Sequence, residues 1–290
     1  VELVHTADWM KQLARQARDK GAVLGLVPTM GALHEGHLSL VRAARSRCSS
    51  LTVSIFVNPT QFGPSEDFSR YPRTLDADRD RLAPLGVDYV FAPPVEEIYP
   101  SGFSTQVTVE GLGDRLEGRS RPGHFRGVAT VVLKLFEIAG PDFAFFGRKD
   151  AQQVAVLRRM VSDLNLDTEI VVCPIVREPD GLALSSRNAY LKPDERRAAT
   201  VLSRSLDSIR DRIERGSRLT APLVEQMQRL IASEKLAAVD YAEIVDAETF
   251  EPAPRLHGSC FAALAVFIGS TRLIDNMLIE ERDDKITCSL

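Results

Sequence analysis

Ala22-Val23-Leu24-Gly25-Leu26-Val27-Pro28-Thr29-Met30-Gly31-Ala32-Leu33-His34-Glu35-Gly36-His37-Leu38 is the stretch that decides how this chain folds. Its first six residues are apolar and β-prone, as in a parallel strand buried on both faces. The run Leu38-Ser39-Leu40-Val41-Arg42-Ala43-Ala44-Arg45 that follows has helical spacing. His34 and His37 therefore stand where a strand ends and a helix begins. The free N–H groups and the dipole of a helix start favour an anion. Gly31 and Gly36 carry no side chain to keep a flat ring or a phosphate from the backbone. Imidazole donates to phosphate oxygens and carries charge near neutral pH. The segment reads as a nucleotide site whose phosphates are flanked by His34 and His37. Two other readings compete, a turn that merely happens to hold histidines and a metal pair. Zincins, however, place their histidines at i and i+4 on a helix, whereas here the spacing is i, i+3 with no obvious third ligand.

Outward from this turn, strand and helix alternate. Asp8 is expected to cap a helix running to about Lys20, with Gly21 just past its end. Strands are expected at Ala22–Val27, Leu51–Val57, Val87–Phe91, Phe143–Phe146 and Glu169–Cys173. Helices are expected from His37, near Leu75–Leu85, and over Val128–Ala139 and Asp150–Val161, with a long loop region after Phe91. This order predicts an α/β fold, a parallel sheet with helices on both faces. Ligands bind such sheets beyond the carboxyl ends of the strands. From about Arg177 the pattern changes. Two polar helices near Pro193–Arg215 and Pro222–Glu234 precede strands near Val239–Val245, Phe261–Phe267 and Leu273–Ile279. The expected division is a domain over residues 1–176 and a smaller, lid-like α+β domain over 177–290.

The chain has 290 residues, 44% hydrophobic and 26% charged, an ordinary globular composition. Its net charge of −4 gives no electrostatic case for nucleic acid as a partner. No apolar run is long enough to span a bilayer, so no membrane partner is expected. No signal peptide is read at the start, and Val1 in place of Met reads as a trimmed or processed start. Cys48, Cys173, Cys260 and Cys288 are widely spaced, which fits reduced thiols in a cytoplasmic enzyme. Cys48 and Cys173 sit in apolar runs and are expected in the core.

Several polar motifs fall at the ends of the expected strands. In Asn58-Pro59-Thr60-Gln61-Phe62-Gly63, Pro59 sets a turn that leaves Asn58 and Gln61 as polar groups at the top of the sheet. An amide such as Gln61 both donates and accepts, which suits a substrate with hydroxyl and carboxylate groups. The acidic, aromatic segment Ser65–Arg73 is expected as a mobile loop. In Phe146-Gly147-Arg148-Lys149-Asp150, Gly147 permits a tight turn, Lys149 offers a compact cation for phosphate, and Asp150 enters a helix. Gln153, one turn on, faces the same side. Pro179-Asp180-Gly181 marks a turn before Leu184-Ser185-Ser186-Arg187-Asn188, whose hydroxyls and guanidinium suit a phosphate. The basic loop Arg119–Gly127 is read either as an attractor of anionic substrate or as a solvated loop.

Taken in order, Pro-Thr-Met-Gly-Ala-Leu-His-Glu-Gly-His, Phe-Val-Asn-Pro-x-Gln-Phe, Tyr-Pro-Arg-Thr, Arg-Pro-x-His-Phe-x-Gly-Val, Phe-Phe-Gly-x-Lys-Asp-x-Gln-Gln and Asp-Gly-Leu-Ala-x-Ser-Ser-Arg-Asn resemble the pantothenate synthetase family. These are the pantoate–β-alanine ligases of bacteria, plants and fungi. The resemblance runs from about Val4 to Glu280 and includes Thr271-Arg272-Leu273-Ile274-Asp275-Asn276. His-x-Gly-His alone marks only the nucleotidyltransferase superfamily, whose Rossmann-like core is related to class I aminoacyl-tRNA synthetases. The second signature of those synthetases, Lys-Met-Ser-Lys-Ser, corresponds here to Leu184–Arg187.

The resemblance implies an ATP-dependent condensation of pantoate with β-alanine through pantoyl adenylate, releasing AMP and pyrophosphate. Attack on phosphorus builds negative charge, so cations and donors matter more than a nucleophilic side chain. His34, His37, Lys149 and Arg187 are the implied catalytic residues, with His37 usually given a general-acid role. Met30, Gly31, Ala32, Leu33, His34, Glu35, Gly36, His37, Gly147, Arg148, Lys149, Asp150, Val176, Leu184, Ser185, Ser186 and Arg187 are the implied ATP residues. Gln61, Gln153 and Asn58 are the implied pantoate residues, Gln61 also serving β-alanine. Mg²⁺ is implied as the counter-ion of the polyphosphate, with Asp150 the candidate carboxylate. A homodimer is also implied. Arg148 stands where the family usually has Glu, and Ala151 where an aromatic is frequent. Other readings are a small adenylyltransferase of another type, a synthetase-derived RNA-binding module, and a zinc hydrolase using His34 and His37.

Overall fold

A computed structural model describes residues 1–64, 66–282 and 285–290. Ser65, at the head of the segment expected as a mobile loop, lies outside the described residues. In chain order the elements begin β1 (Glu2–Val4), α1 (Ala7–Asp19), β2 (Leu24–Thr29), α2 (Glu35–Arg45), β3 (Ser50–Ile55), α3 (Leu75–Leu82) and β4 (Tyr89–Phe91). Next come α4 (Val95–Ile98), α5 (Glu117–Ser120), α6 (His124–Ala139), β5 (Phe143–Gly147), α7 (Ala151–Asp163) and β6 (Glu169–Cys173). The last are α8 (Pro193–Ala198), α9 (Val201–Glu214), α10 (Ala221–Ala232), β7 (Ala237–Asp246), β8 (Ser259–Ile268), β9 (Thr271–Arg282) and β10 (Lys285–Ser289). They form two compact units. One comprises Val1–Asp114, Arg121–Arg148 and Gln153–Pro174, the other Arg115–Ser120, Lys149–Gln152 and Ile175–Leu290.

The first unit contains a parallel sheet in the order β1-β4-β3-β2-β5-β6. Its order reverses at β2, since β3 and β4 build outward on one side while β5 and β6 build on the other. A ligand crevice forms at such a reversal. β2 pairs with β3 from Leu24 to Thr29 but with β5 only at Gly25 and Leu26. Pro28 has no N–H to donate, which suits a place where pairing with β5 has ended. The sheet is open on that side just before Met30. Gly25 is required beneath it, because a Cβ there would lie 2.7 Å from Cys48 Sγ. Val27, Leu40, Val41, Cys48, Leu51, Val53 and Val90 form one core cluster around this pair, and Cys173 belongs to it, as expected for both thiols.

Local chemistry moves several boundaries. Thr6, not Asp8, caps α1, its Oγ1 accepting from Trp9 N–H at 3.4 Å, and Asp8 lies in the first turn. The helix from Leu75 ends at Leu82, and a 3₁₀ turn carries the chain to Gly86, whose φ of +70° closes it. The region after Phe91 is not one long loop, since it contains α4 and α5.

The second unit contains an antiparallel sheet in the order β10-β9-β8-β7. Leu202, Leu206, Ile209 and Ile213 of α9 and Leu223, Met227 and Ile231 of α10 pack with Leu264, Val266, Leu273 and Met277 of the strands. Read as polar in sequence, these helices each bury an apolar stripe. The expected helix Pro193–Arg215 is broken at Thr200, whose hydroxyl donates to Arg197 O at 2.9 Å in competition with the helix ladder. β10 extends the sheet beyond the expected last strand, and the charged run before it hid that return.

Candidate functional site

In the first unit, the two histidines themselves build the start of α2. His34 is its N-cap, and His34 Nδ1 accepts from Gly36 N–H at 3.2 Å. His37 Nδ1 accepts from His34 N–H at 3.3 Å. The rings lie 4.0 Å apart between centroids. A ring nitrogen that accepts carries no proton, so each neutral imidazole carries its proton on Nε2. The pair thus offers Nε2–H donors at a helix N-terminus, where negative charge is favoured. Among the described residues no cluster of three His, Cys, Asp or Glu is placed to hold a metal.

The turn before the histidines is bent by backbone in the left-handed region, at Gly31 (φ +83°) and Ala32 (φ +51°). For Ala32 this costs on the order of 1–2 kcal/mol. Asp78 of α3 offsets it. Its carboxylate, 2% exposed, accepts from Ala32 N–H at 2.9 Å and Leu33 N–H at 2.8 Å. Thr74 Oγ1 donates to the same group at 3.1 Å, and the Arg81 guanidinium donates to Leu33 O. Asp78 and Arg81 were not singled out in the sequence. They sit in a charged helix, and only burial tells Asp78 from its acidic neighbours.

Asn58 follows the carboxyl end of β3, as expected, but it is buried there. It is 1% exposed. Its Nδ2 donates to Gln61 Oε1 and to Gly127 O, both at 3.1 Å, and its Oδ1 accepts from Thr60 Oγ1 at 2.9 Å and Tyr99 OH at 2.8 Å. Both amide hydrogens of Asn58 are thus engaged, one of them on Gln61. Gln61 is half-buried, and its Nε2 lies 2.9 Å from Met30 Sδ, so the Gln61 turn meets the histidine turn. Gly127 lets α6 approach, because a Cβ there would be 2.4 Å from Thr60 O.

The basic loop read at Arg119–Gly127 is structured. Arg121 grips Glu66 through Nε and Nη2, at 2.9 and 2.6 Å. His124 Nδ1 donates to Gln61 O at 2.8 Å. Burial raises the Glu66 carboxyl, and the hydrogen bonds and charge of Arg121 reverse this, leaving its pKa below the ordinary value.

Gly147 ends β5. Its φ is not left-handed, so the turn does not demand glycine, and a Cβ there would meet open space. Arg148 and Gln153 are half-buried in the first unit.

In the second unit, Lys149 is half-buried and Asp150 exposed, in a 3₁₀ turn ahead of α7. The Val176–Leu184 segment is a hairpin about the Pro179-Asp180-Gly181 turn, with Leu184 N–H donating to Val176 O at 3.0 Å. It brings Val176 and Leu184 side by side. Ser185 caps the next turn, its Oγ accepting from Arg187 N–H at 3.3 Å. Ser186 and Arg187 follow in that turn, both half-buried.

A doubly wound sheet with an imidazole-capped turn at its switch point defines the class, a nucleotide-binding α/β enzyme. A sequence profile described as Pantoate-beta-alanine ligase matches residues 2–278, and the chain belongs to that family. It is 56% identical over 271 residues to the pantothenate synthetase of Caldicellulosiruptor saccharolyticus, covering 93% of this chain and 96% of that one. It is 54% identical over 283 residues to that of Moorella thermoacetica, covering 98% and 100%. The fold is similar to the crystal structure of pantothenate synthetase from Thermus thermophilus, with a TM-score of 0.89, 45% identity, and coverage of 95% and 98%. It is also similar to the pantoate-beta-alanine ligase of Francisella tularensis complexed with beta-gamma ATP and beta-alanine, with a TM-score of 0.79, 36% identity, and coverage of 96% and 97%. Membership makes the chain a ligase of pantothenate biosynthesis, joining pantoate to β-alanine. Among the described residues no helix is long and apolar enough to cross a membrane.

Proposed function

We propose that this enzyme activates pantoate with ATP as pantoyl adenylate and then transfers the pantoyl group to β-alanine. The observation that carries this reading is the pair of imidazoles that cap α2 through Nδ1 at the carboxyl end of β2. In the first step a pantoate carboxylate oxygen bonds to the α-phosphorus of ATP, and the bond from that phosphorus to the bridging oxygen breaks. Pyrophosphate leaves. In the second step the β-alanine nitrogen bonds to the activated carbonyl carbon. The carbon–oxygen bond breaks, the nitrogen loses its proton, and AMP departs with the former carboxylate oxygen.

His34 and His37 donate from Nε2 to the phosphate oxygens. Because Nδ1 of each is held by a backbone N–H, both act as hydrogen-bond donors to growing negative charge, and His37 need not transfer a whole proton. Met30–Leu33, Glu35 and Gly36 line the nucleotide, and Gly147 leaves open space for it. Arg148, Lys149, Asp150, Val176 and Leu184–Arg187 are assigned to ATP by motif, with Lys149 and Arg187 as its cations. Gln61 and Gln153 bind pantoate, Gln61 also meets β-alanine, and Asn58 acts through Gln61.

Mg²⁺ binds hard oxygens and commonly takes one or two carboxylates plus substrate phosphates. The exposed Asp150 fits that role, and the ion would supply charge neutralisation of the polyphosphate. A homodimeric, cytoplasmic enzyme completes the reading. The test is isotopic. Pantoate labelled with ¹⁸O in its carboxyl group should pass one label to AMP, whereas label in phosphate or ADP, or none transferred, overturns the adenylate route.

A further inference from the structure

Asp275 and Asn276, consecutive residues of β9, have no role in the reading above, yet both are almost fully buried polar side chains, 3% and 2% exposed. Asn276 Nδ2 donates to the backbone carbonyl of Lys149 at 3.0 Å. Asp275 receives Arg177 as a fork, Nη1 to Oδ2 and Nη2 to Oδ1, both at 2.8 Å. Arg177 Nη1 also donates to Gly181 O at 2.9 Å. Arg177 and Gly181 belong to the hairpin that carries Val176 and Leu184. The Asp275 carboxylate is itself fixed, since Asn276 N–H donates to Oδ1 at 2.8 Å. All of these residues lie in the second unit.

Strand geometry explains how one dipeptide serves two attachments. Successive side chains of a strand point to opposite faces of the sheet. Leu273 and Met277, in register with Asp275, belong to the core shared with α9 and α10. Arg272, in register with Asn276, points to the other face. There Arg272 Nη1 donates to Glu117 Oε1 at 2.9 Å, while its Nε and Nη2 hold Asp240 Oδ2 at 3.0 and 2.6 Å. Glu117 N–H donates in turn to Gln152 Oε1 at 3.1 Å, and Gln152 Nε2 donates to Arg115 O at 2.8 Å. Arg272 thus secures Gln152, at one end of the Lys149–Gln152 segment, through Glu117, and Asn276 secures Lys149 at the other end.

We infer that Asp275 and Asn276 are positioning residues that set Lys149 and the Ser185–Arg187 segment in one register. Neither touches substrate. Each holds the backbone that carries a cation for the polyphosphate, so that Lys149 and Arg187 are presented from a single strand. A transition state that gains charge on phosphate oxygens is sensitive to such placement, and misplacement of about 1 Å costs on the order of 10²-fold in rate. This inference rests on reading Lys149 and Arg187 as ATP cations.

The test measures pantoate-dependent pyrophosphate release in single turnovers, with thermal unfolding of each variant. Asn276→Ala should slow release by on the order of 10- to 100-fold, with the half-saturating pantoate concentration little changed. In a Lys149→Ala background the same substitution should slow release no further, because the residue acts through Lys149. Asp275→Asn should behave likewise against Arg187→Ala. If Asn276→Ala does not fold, Asn276→Asp keeps the shape and loses the Nδ2 donor, and the same result is expected of it. Normal release in Lys149→Ala or Arg187→Ala alone would overturn the reading of those cations and this inference with it. Normal release in the Asn276 and Asp275 variants, or losses that add in full to those of Lys149→Ala and Arg187→Ala, would overturn the inference alone.

Discussion

The turns at Met30–His37 and Lys149–Gln152 each follow the carboxyl end of a parallel strand, yet they are held by different means. The first is largely self-made. His34 and His37 cap their own helix within four residues, and Asp78 adds two backbone hydrogen bonds from α3. The second depends on distant chain, because Asn276 reaches Lys149 from 127 positions away. Local capping survives changes elsewhere, whereas a long-range anchor ties a site residue to the integrity of another sheet. Each turn should fail in its own way when its support is disturbed.

Removing the cation of the second turn should have the largest effect. Lys149→Ala should lower the rate of pyrophosphate release on the order of 10²-fold or more, with little change in thermal stability. Asn276 meets Lys149 at its backbone carbonyl, so truncating the side chain leaves that anchor in place. A near-normal rate would break the contrast by removing the function of the second turn.

In the first turn, Asp78→Ala should affect both folding and binding. It removes the carboxylate that accepts from the N–H groups of Ala32 and Leu33, where the backbone is already in the left-handed region. A loss of about 2 kcal/mol in stability is expected, with a higher half-saturating ATP concentration. Urea unfolding and an ATP titration check it. Unchanged stability would mean that the histidine caps alone hold the turn.

Gln153→Ala sharpens the comparison at the substrate. An amide donates to a carboxylate and accepts from a hydroxyl without the cost of burying a charge. Its loss should weaken pantoate use by roughly tenfold, near 1.4 kcal/mol, and leave ATP affinity nearly constant. A defect confined to the ATP titration, or none in either titration, would place pantoate elsewhere.

The smallest effect is expected at Glu66, which supports the Gln61 turn through Arg121. Its folded pKa lies below the ordinary 4.5. The pair therefore stabilises the fold above that value and loses its contribution as pH falls through the depressed folded pKa. Glu66→Gln should be less stable than the parent at neutral pH by under about 1 kcal/mol, and the gap should close in acid. A gap independent of pH, measured by urea unfolding between about pH 3 and 7, would assign the loss to packing.

Much of this was legible in the chain. The apolar run Ala22–Val27 and the helical spacing after Leu38 place the histidines at a strand-to-helix turn, and the structure has them there. Glu169–Cys173 appears with the expected bounds. Side-chain competition was not legible. Thr6 displaced Asp8 as the cap of α1, and Thr200 broke a helix that periodicity read as continuous, because hydrogen bonds to nearby backbone are decided by geometry that spacing does not contain. Asn58 illustrates the same limit. Its residue type does not reveal that it is buried, and the approach of α6 through Gly127 engages its amide.

By itself, then, the sequence determined the alternation of strands and helices, the place of the His34–His37 turn and the order of the polar motifs, since periodicity and capping act over a few residues. Only the tertiary structure decided that Asp78 holds Ala32 and Leu33, that Asn58 is spent on Gln61, and that Asn276 holds Lys149. Each of these is a buried polar group whose partners or whose burial depend on chain brought in from elsewhere, and burial is a property of the folded chain.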